Sequence, residues 1–176
     1  PHPDEIVASL KKSSLPTIVV EGRLDSFVYR YLENRTGASV LPVGGRNNLI
    51  SIMARRSSFA SLPCAFVADR DMWLFEGVPE ALTTQDLVIT DGYSVENDIY
   101  RDANLEDLMT PAQRSVFQGE CREVCRWFSF AAAKWCRGEL VALDHSPRRM
   151  MSNGATLAAE FVQAVGFDGE CPDRFP

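Results

Sequence analysis

Histidine is nearly missing from this chain, which has only His2 and His145 among its 176 residues. So few imidazoles leave little room for a histidine-based catalytic triad or a zinc site. A small fold held by disulfides is disfavoured too, because the five cysteines are an odd number at irregular spacing. The chain also lacks excess positive charge, since its formal net charge is −6. Any contact with nucleic acid must therefore offset the acidity of the chain.

Long apolar segments are missing as well. No run approaches the ~20 apolar residues that a membrane-spanning helix needs, and residues 1–14 have no basic flank followed by an apolar stretch. The sequence thus predicts a cytoplasmic protein with no membrane partner. A Walker-type Gly-x-x-x-x-Gly-Lys loop is also lacking, which makes a nucleotide-binding regulator the least favoured function.

Apolar, β-branched segments alternate with helical patterns in the first half of the chain. Strands are predicted over residues 17–21, 39–43, 64–69 and 86–90. Helices are predicted over residues 3–12 and 24–34, and a third follows a cap at Asn47 or Asn48. This alternation predicts an α/β fold with a four-stranded, mainly parallel sheet flanked by helices.

The pattern from Glu96 onward is helical, and the longest predicted helix covers residues 111–137. We expect two parts, with residues 1–100 around the sheet and a helical extension over residues 101–176. The long helix has an apolar face too broad for a solvated helix. It either packs on the sheet or forms an interface with a second copy of the chain or with a partner protein. Its largest apolar side chains are Trp127, Phe128 and Trp135.

Acidic residues follow three of the predicted strands. Glu21 and Asp25 come after the first strand, Asp69 and Asp71 after the third, and Glu96 after the fourth. The carboxyl ends of parallel strands share one edge of a sheet, so these carboxylates are expected to converge there. Converging carboxylates repel one another unless a cation neutralises them. An oxygen-only ligand set points to Mg²⁺ or Mn²⁺.

A plainer interpretation of these acids stays open, because loops after strands are solvated and often acidic. Taken singly, each carboxylate is more commonly a surface loop residue. Their joint placement favours a site, since residues 69–107 hold eleven acids against two arginines. For Glu21, ligation of a metal and a role as general acid or base are not separable by sequence.

Three arginines near the acids are candidate substrate ligands. Arg46 follows Gly44-Gly45, which either cradles phosphate through free backbone amides or simply makes a tight turn. Arg23 and Arg70 lie beside the acids in the sequence and either contact substrate or balance local charge.

Four segments of the sequence carry a family resemblance. They are Val19-Val20-Glu21-Gly22-x-x-Asp25, Val43-Gly44-Gly45-Arg46-Asn47-Asn48, Val67-Ala68-Asp69-x-Asp71 and Tyr93-Ser94-Val95-Glu96-Asn97-Asp98. Together they resemble the Toprim fold, the metal-binding domain of topoisomerases, primases and several nucleases. They are most similar to the Toprim-like proteins that accompany ABC-type ATPases in OLD-like and PARIS-like phage defence.

The resemblance implies a metal-dependent nuclease. By likeness to OLD-type nucleases, Glu21, Asp25 and Asp69 would hold one divalent ion. Asp71 and Glu96 would help to hold a second, and hydrolysis would depend most directly on Glu21, Asp69 and Asp71. The same resemblance implies an anti-phage effector held in check by an ABC-type ATPase, acting on DNA or on transfer RNA.

One departure from the family separates the chain from topoisomerases and primases. Their Asp-x-Asp motif is usually followed by small residues, whereas Met72-Trp73-Leu74-Phe75 follows here. The chain also has no room for a strand-passage domain or a zinc-binding primase module. Hydrolysis is the activity that remains, and the alternative is a non-catalytic subunit in which the same scaffold binds a partner.

Overall fold

The computed structural model describes residues 2–143, 145–152 and 156–170. The chain divides into two compact units, Pro1–Ile99 and Tyr100–Pro176. Each unit has its own cluster of buried apolar side chains. Cys171, one of the five cysteines, lies outside the described residues.

A four-stranded sheet forms the centre of the first unit. Its strands are β1 (Thr17–Val20), β2 (Ser39–Pro42), β3 (Cys64–Ala68) and β4 (Leu87–Ile89). They lie in the order β2-β1-β3-β4, and every neighbouring pair is parallel. The carboxyl ends of all four strands therefore share one edge. The predicted α/β fold with a helix-flanked parallel sheet is confirmed.

Six α-helices begin in the first unit. They are α1 (Pro3–Lys12), α2 (Asp25–Tyr29), α3 (Tyr31–Thr36), α4 (Arg46–Met53), α5 (Trp73–Glu76) and α6 (Val95–Asp102). Short 3-10 helices cover Arg56–Phe59 and Glu80–Leu82. The bounds of α1 agree with the prediction of a helix over residues 3–12. His2 fixes the start of this helix through a capping box. The boundary between the two units falls inside α6.

One face of the sheet carries the core of this unit. Val19 and Phe66 on the two central strands pack with Leu49 and Ile52 of α4, and all four are fully buried. Helix α1 packs against α4 and adds Ile6, Val7 and Leu10 to the same cluster. This packing holds α4, and with it Arg46 at the first turn of α4, at the carboxyl edge of the sheet.

The helix predicted over residues 24–34 differs from the structure. It is interrupted at Arg30, and Phe27, one of the apolar residues that recur at helical spacing in this segment, is exposed. Ser26 is the buried residue instead, with its hydroxyl donating to the carbonyl oxygen of Arg23 at 2.6 Å. A local side-chain bond to the backbone thus turns a different face inward than hydrophobicity predicts.

The second unit contains the long helix α7 (Pro111–Cys136), the short α8 (Pro147–Met150), α9 (Ala159–Val165) and a 3-10 helix at Leu105–Leu108. Helix α7 begins with a capping box at Thr110. Trp127 is buried in this unit and Phe128 packs partly buried against the same cluster, whereas Trp135 is exposed. Two of the three large aromatic residues therefore serve the core of their own unit.

No helix in the described part of the chain is both long enough and apolar enough to cross a membrane.

Phe66 lets the core of the first unit be tested. Phe66→Ala should lower the free energy of unfolding by about 3–5 kcal/mol, because Phe66 is 0% exposed on a central strand. Phe27→Ala removes the same type of side chain at a site that is 73% exposed. This variant should change the free energy of unfolding by less than ~0.5 kcal/mol. Urea unfolding followed by circular dichroism measures both. Equal losses in the two variants would contradict the described packing.

Candidate functional site

The carboxyl edge of the sheet brings Glu21 and Asp69 together from neighbouring strands. Glu21 follows β1 and Asp69 follows β3, and these two strands are paired in parallel. The backbone N–H of Asp69 donates to Oε1 of Glu21 at 3.2 Å. A side chain at the end of one strand therefore binds the backbone at the end of the next.

Arg46 lies between these acids. Its Nε donates to Oε1 of Glu21 at 3.1 Å, and its Nη2 lies 2.9 Å from Oδ2 of Asp71. The same Nη2 donates to the carbonyl oxygen of Asp69. One guanidinium thus bridges two carboxylates that the sequence separates by 50 residues.

The ring of Trp73 covers the guanidinium of Arg46. The guanidinium carbon lies 4.1 Å from the ring centroid, which is the geometry of a cation–π contact. Trp73 is the first residue of α5 and is half-buried. The bulky segment after the Asp-x-Asp motif therefore contributes a wall of the site.

Asp71 reaches this cluster through a turn and not through an extended strand. Strand β3 ends at Ala68, and Asp71 has a positive φ of 46°. Its N–H donates to the carbonyl oxygen of Tyr93 at 2.7 Å, which holds the turn against the loop after β4. In extended backbone, an Asp-x-Asp spacing would place both side chains on one face. The turn replaces that geometry here, although both carboxyl groups lie in the cluster.

Asp25 and Glu96 lie at the margin of the cluster. Asp25 accepts the N–H of Gly22 at 2.7 Å, which closes the turn between β1 and α2. Glu96 is exposed on α6 and accepts the hydroxyl of Ser94 at 2.7 Å. The ion pairs of Arg46 described above involve Glu21 and Asp71 and neither of these two carboxylates.

Asp69 has the most strongly perturbed carboxyl group of the site. Burial raises its pKa from 3.8 to about 6. The carboxylates of Asp25, Asp71 and Glu21 add repulsion, while the N–H of Val95, which donates to Oδ1 at 2.9 Å, opposes the rise. The charged form of Asp69 is thus disfavoured by its surroundings.

The pKa values of Glu21 and Asp71 are raised as well. Burial is the largest cause for both, and the positive charge of Arg46 opposes it in both. Repulsion from Asp25 and Glu96 adds to the rise for Asp71. All five predicted carboxylates therefore lie within electrostatic range of the cluster, and one arginine only partly balances them.

Two tyrosines border the acids and were missed as site residues. The pKa of Tyr29 is raised to about 12, first by burial and then by the charges of Asp69, Asp25 and Asp98. Burial also raises the pKa of Tyr93. Both phenols therefore stay protonated and can donate hydrogen bonds. The signal for Tyr29 was available, because it lies one helical turn after Asp25.

Asp98 is a further acid that the motif contains but the predicted ligand set omits. Its carboxylate accepts the N–H of Asp91 at 2.9 Å and that of Gly92 at 2.6 Å. A Cβ on Gly92 would lie 3.0 Å from Asn97 Cβ and from Asp98 Oδ1, so glycine permits this close approach. Asp98 shapes the loop that carries Tyr93.

The Gly44-Gly45 segment is a tight turn. Gly44 and Gly45 have positive φ angles of 84° and 121°, and both N–H groups donate to the carbonyl oxygen of Glu21, at 2.9 and 2.7 Å. These amides are therefore not free to cradle phosphate, and Gly45 is the residue before α4. The prediction that Asn47 or Asn48 caps this helix is wrong, because Gly45 is the residue at the cap position. The side-chain amide of Asn48 donates to the carbonyl oxygen of Val43 instead.

The other two predicted substrate ligands are placed less centrally. Arg23 is exposed in the turn after β1. Arg70 is half-buried, and its Nε is buried without a hydrogen-bond partner. The N–H of Arg70 donates to the hydroxyl of Thr90 at 2.9 Å, which links the ends of β3 and β4.

The residues suit a divalent ion by chemistry and not by their present arrangement. They offer only oxygen donors, and their pKa values are raised first by burial and then by mutual repulsion, which a bound cation would offset. Within the described residues, however, no group of three or more Asp, Glu, His or Cys side chains is arranged to hold a metal. Arg46 takes up the space between Glu21 and Asp71.

Compared with known proteins, the sequence matches no protein-family profile, and no curated protein matches it. The resemblance to Toprim-like proteins therefore rests on the quoted motifs and stays a prediction.

The raised pKa of Asp69 predicts how stability depends on pH. The folded protein holds the Asp69 proton more tightly than the unfolded chain, so its contribution to stability is full below about pH 4 and is lost as the pH rises through about 6. Asp69→Asn, which cannot ionise, should therefore gain stability relative to wild type across this window. Urea unfolding in chelator at a series of pH values measures the difference. A difference that stays constant with pH would contradict the account.

Proposed function

We propose that this chain is a divalent-metal-dependent nuclease that hydrolyses phosphodiester bonds of nucleic acid at the carboxyl edge of its sheet. The observation that carries the proposal is the convergence of Glu21, Asp69 and Asp71, whose pKa values are raised, next to Arg46. Asp25 and Glu96 lie at the margin of the same cluster. A purely structural cluster would gain stability from fewer charges. The proposal explains why so many acids are kept together.

Each site residue has a proposed role. Glu21, Asp25 and Asp69 would hold one Mg²⁺ or Mn²⁺ ion, and Asp71 and Glu96 would help to hold a second. When bound, the metal would stabilise the attacking and leaving oxygens of an in-line displacement and would activate the attacking water.

Proton transfer and phosphate binding would be carried out by Glu21 and the three arginines. Glu21 is the most buried carboxylate of the Arg46 cluster, and its raised pKa suits it to accept or donate a proton at Oε2, since Oε1 is engaged by Arg46 and Asp69. Arg46 has the planar fork that grips phosphate, and Arg23 and Arg70 would contact the substrate backbone.

The resemblance of the motifs extends the proposal to a biological setting. The chain would be the cytoplasmic effector of an anti-phage system, controlled by an ABC-type ATPase and active on DNA or on transfer RNA. A homodimer is a further proposed assembly, and exposed Trp135 on α7 is a residue through which either partner would bind.

A second candidate function is a non-catalytic subunit that uses this scaffold to bind a partner. One observation favours it: Arg46 already pairs with Glu21 and Asp71, and in the described residues the acids do not stand as a metal-ligand group. In that case the acids would serve the fold of the edge and no chemistry.

The nuclease proposal predicts cleavage of plasmid, single-stranded DNA or total transfer RNA with Mg²⁺ or Mn²⁺, and none with chelator. Asp71→Asn should lower the single-turnover rate roughly 100-fold or more, because it removes one ligand from a set that works together. A matched control is Asp86→Asn. Asp86 is 34% exposed and pairs with Arg56, much as Asp71 is 38% exposed and pairs with Arg46. Asp86 precedes β4 at the opposite edge of the sheet, so this variant should keep the wild-type rate.

Two results would contradict the nuclease proposal. Wild-type rates in both Glu21→Gln and Asp71→Asn would remove the activity from these residues. An intact partner complex with unchanged biological activity in Glu21→Gln would favour the binding subunit.

A further inference from the structure

Arg46 already does in this site what a bound cation would do. It places its single positive charge between Glu21 and Asp71, and it uses Nε and Nη2 on different acids. We propose that Arg46 is the resident counter-ion of the site, and that Arg46 and a divalent ion bind these carboxylates in a mutually exclusive way. Departure of Arg46 then frees its guanidinium for the substrate phosphate. This inference rests on the proposed function and specifies how the same site is controlled.

The exclusion follows from distances. Oxygen ligands lie about 2.0–2.1 Å from Mg²⁺, whereas Arg46 nitrogens lie 3.1 and 2.9 Å from oxygens of Glu21 and Asp71. Oε1 of Glu21 also accepts the N–H of Asp69. One oxygen of each acid is thus engaged by Arg46, and the guanidinium takes up the space between the two carboxylates. Arg46 must move before both carboxylates can meet at an ion.

Charge favours that movement. One guanidinium carries a single positive charge, yet it pairs with two carboxylates, those of Glu21 and Asp71. A doubly charged ion compensates the cluster more completely than a singly charged one. Arg46 therefore stabilises the carboxyl edge of the sheet when no metal is bound. It compensates the negative charges of the cluster less completely than a divalent ion would.

The anchor of Arg46 allows a side-chain rotation without refolding. Its backbone is in the first turn of α4, which packs in the core through Leu49 and Ile52. Its guanidinium rests on Trp73 and is 21% exposed. Release from the acids thus requires only loss of the two ion pairs, the bond to the Asp69 carbonyl and the contact with Trp73.

This arrangement predicts an order of binding. While Arg46 is bonded to Glu21 and Asp71, its fork is engaged and cannot grip phosphate. Its contribution to nucleic-acid binding therefore depends on prior release, and release depends on metal. The site would stay closed to substrate phosphate in the absence of divalent ions.

Calorimetric titration of the whole chain with Mn²⁺ tests the exclusion directly. Arg46→Gln should bind Mn²⁺ at least about ten-fold more tightly than wild type, because no resident cation must leave. The matched control is Arg56→Gln. Arg56 is 22% exposed, pairs with Asp86 at 3.0 Å and lies over the ring of Phe59. Asp86 precedes β4, at the edge of the sheet opposite to the acid cluster. Arg56→Gln should leave the Mn²⁺ affinity unchanged.

Trp73 provides a second measurement that needs no change at Arg46. Addition of Mg²⁺ to the wild type should change the tryptophan fluorescence, because the guanidinium leaves a ring that it covers at 4.1 Å. Trp73→Phe should abolish that change while the other two tryptophans remain. The inference is overturned if Mg²⁺ binds and the Trp73 emission does not move.

The outcomes separate this inference from the proposed function. Equal Mn²⁺ affinity in wild type and Arg46→Gln overturns the exclusion and leaves the metal-dependent nuclease standing. Binding by Arg46→Gln alone supports the exclusion. Binding by neither protein at millimolar Mn²⁺ overturns both.

Discussion

The carboxyl edge of the sheet depends on one interaction, the bridge that the guanidinium of Arg46 forms between Glu21 and Asp71. This bridge joins the end of β1, the turn after β3 and the first turn of α4, which the chain visits far apart in sequence. Without a cation at this point, half-buried carboxylates would face one another with their charges uncompensated, and at least some would have to take up a proton. The raised pKa of Asp69, about 6, shows how near the cluster already is to that limit.

A second constraint shapes the loops around the cluster, and it is used twice. The N–H of Gly22 donates to Asp25, and the N–H of Gly92 donates to Asp98, in each case across a turn that leaves a strand. Both contacts bring a backbone close to a carboxylate, and a Cβ on Gly92 would meet its neighbours at 3.0 Å. The acids of these turns thus have a structural task besides any chemical one. The all-parallel sheet then aligns the two turns at one edge.

Much of the first unit was predictable because its strands and α1 obey local rules. β-Branched runs marked the strands, and the carboxyl ends of parallel strands brought Glu21 and Asp69 together as expected. The pairing of Arg46 with Glu21 was not predictable, because hydrophobic periodicity carries no information on which charges meet across 25 residues. The exposure of Phe27 and the positive φ of Asp71 were missed for a related reason. Each depends on a hydrogen bond to the backbone, from Ser26 to Arg23 in one case and from Asp71 to Tyr93 in the other. The amino-acid composition does not predict such bonds.

The strength of the Arg46 bridge can be measured without any metal or substrate. A double-mutant cycle of Arg46→Gln, Glu21→Gln and the double variant, unfolded by urea in chelator, isolates the coupling between the two side chains. The account predicts a favourable coupling of at least ~1 kcal/mol, because the pair is largely buried and hydrogen-bonded. Losses that add to within ~0.3 kcal/mol would contradict it, since Arg46 would then not be the counter-ion of the site.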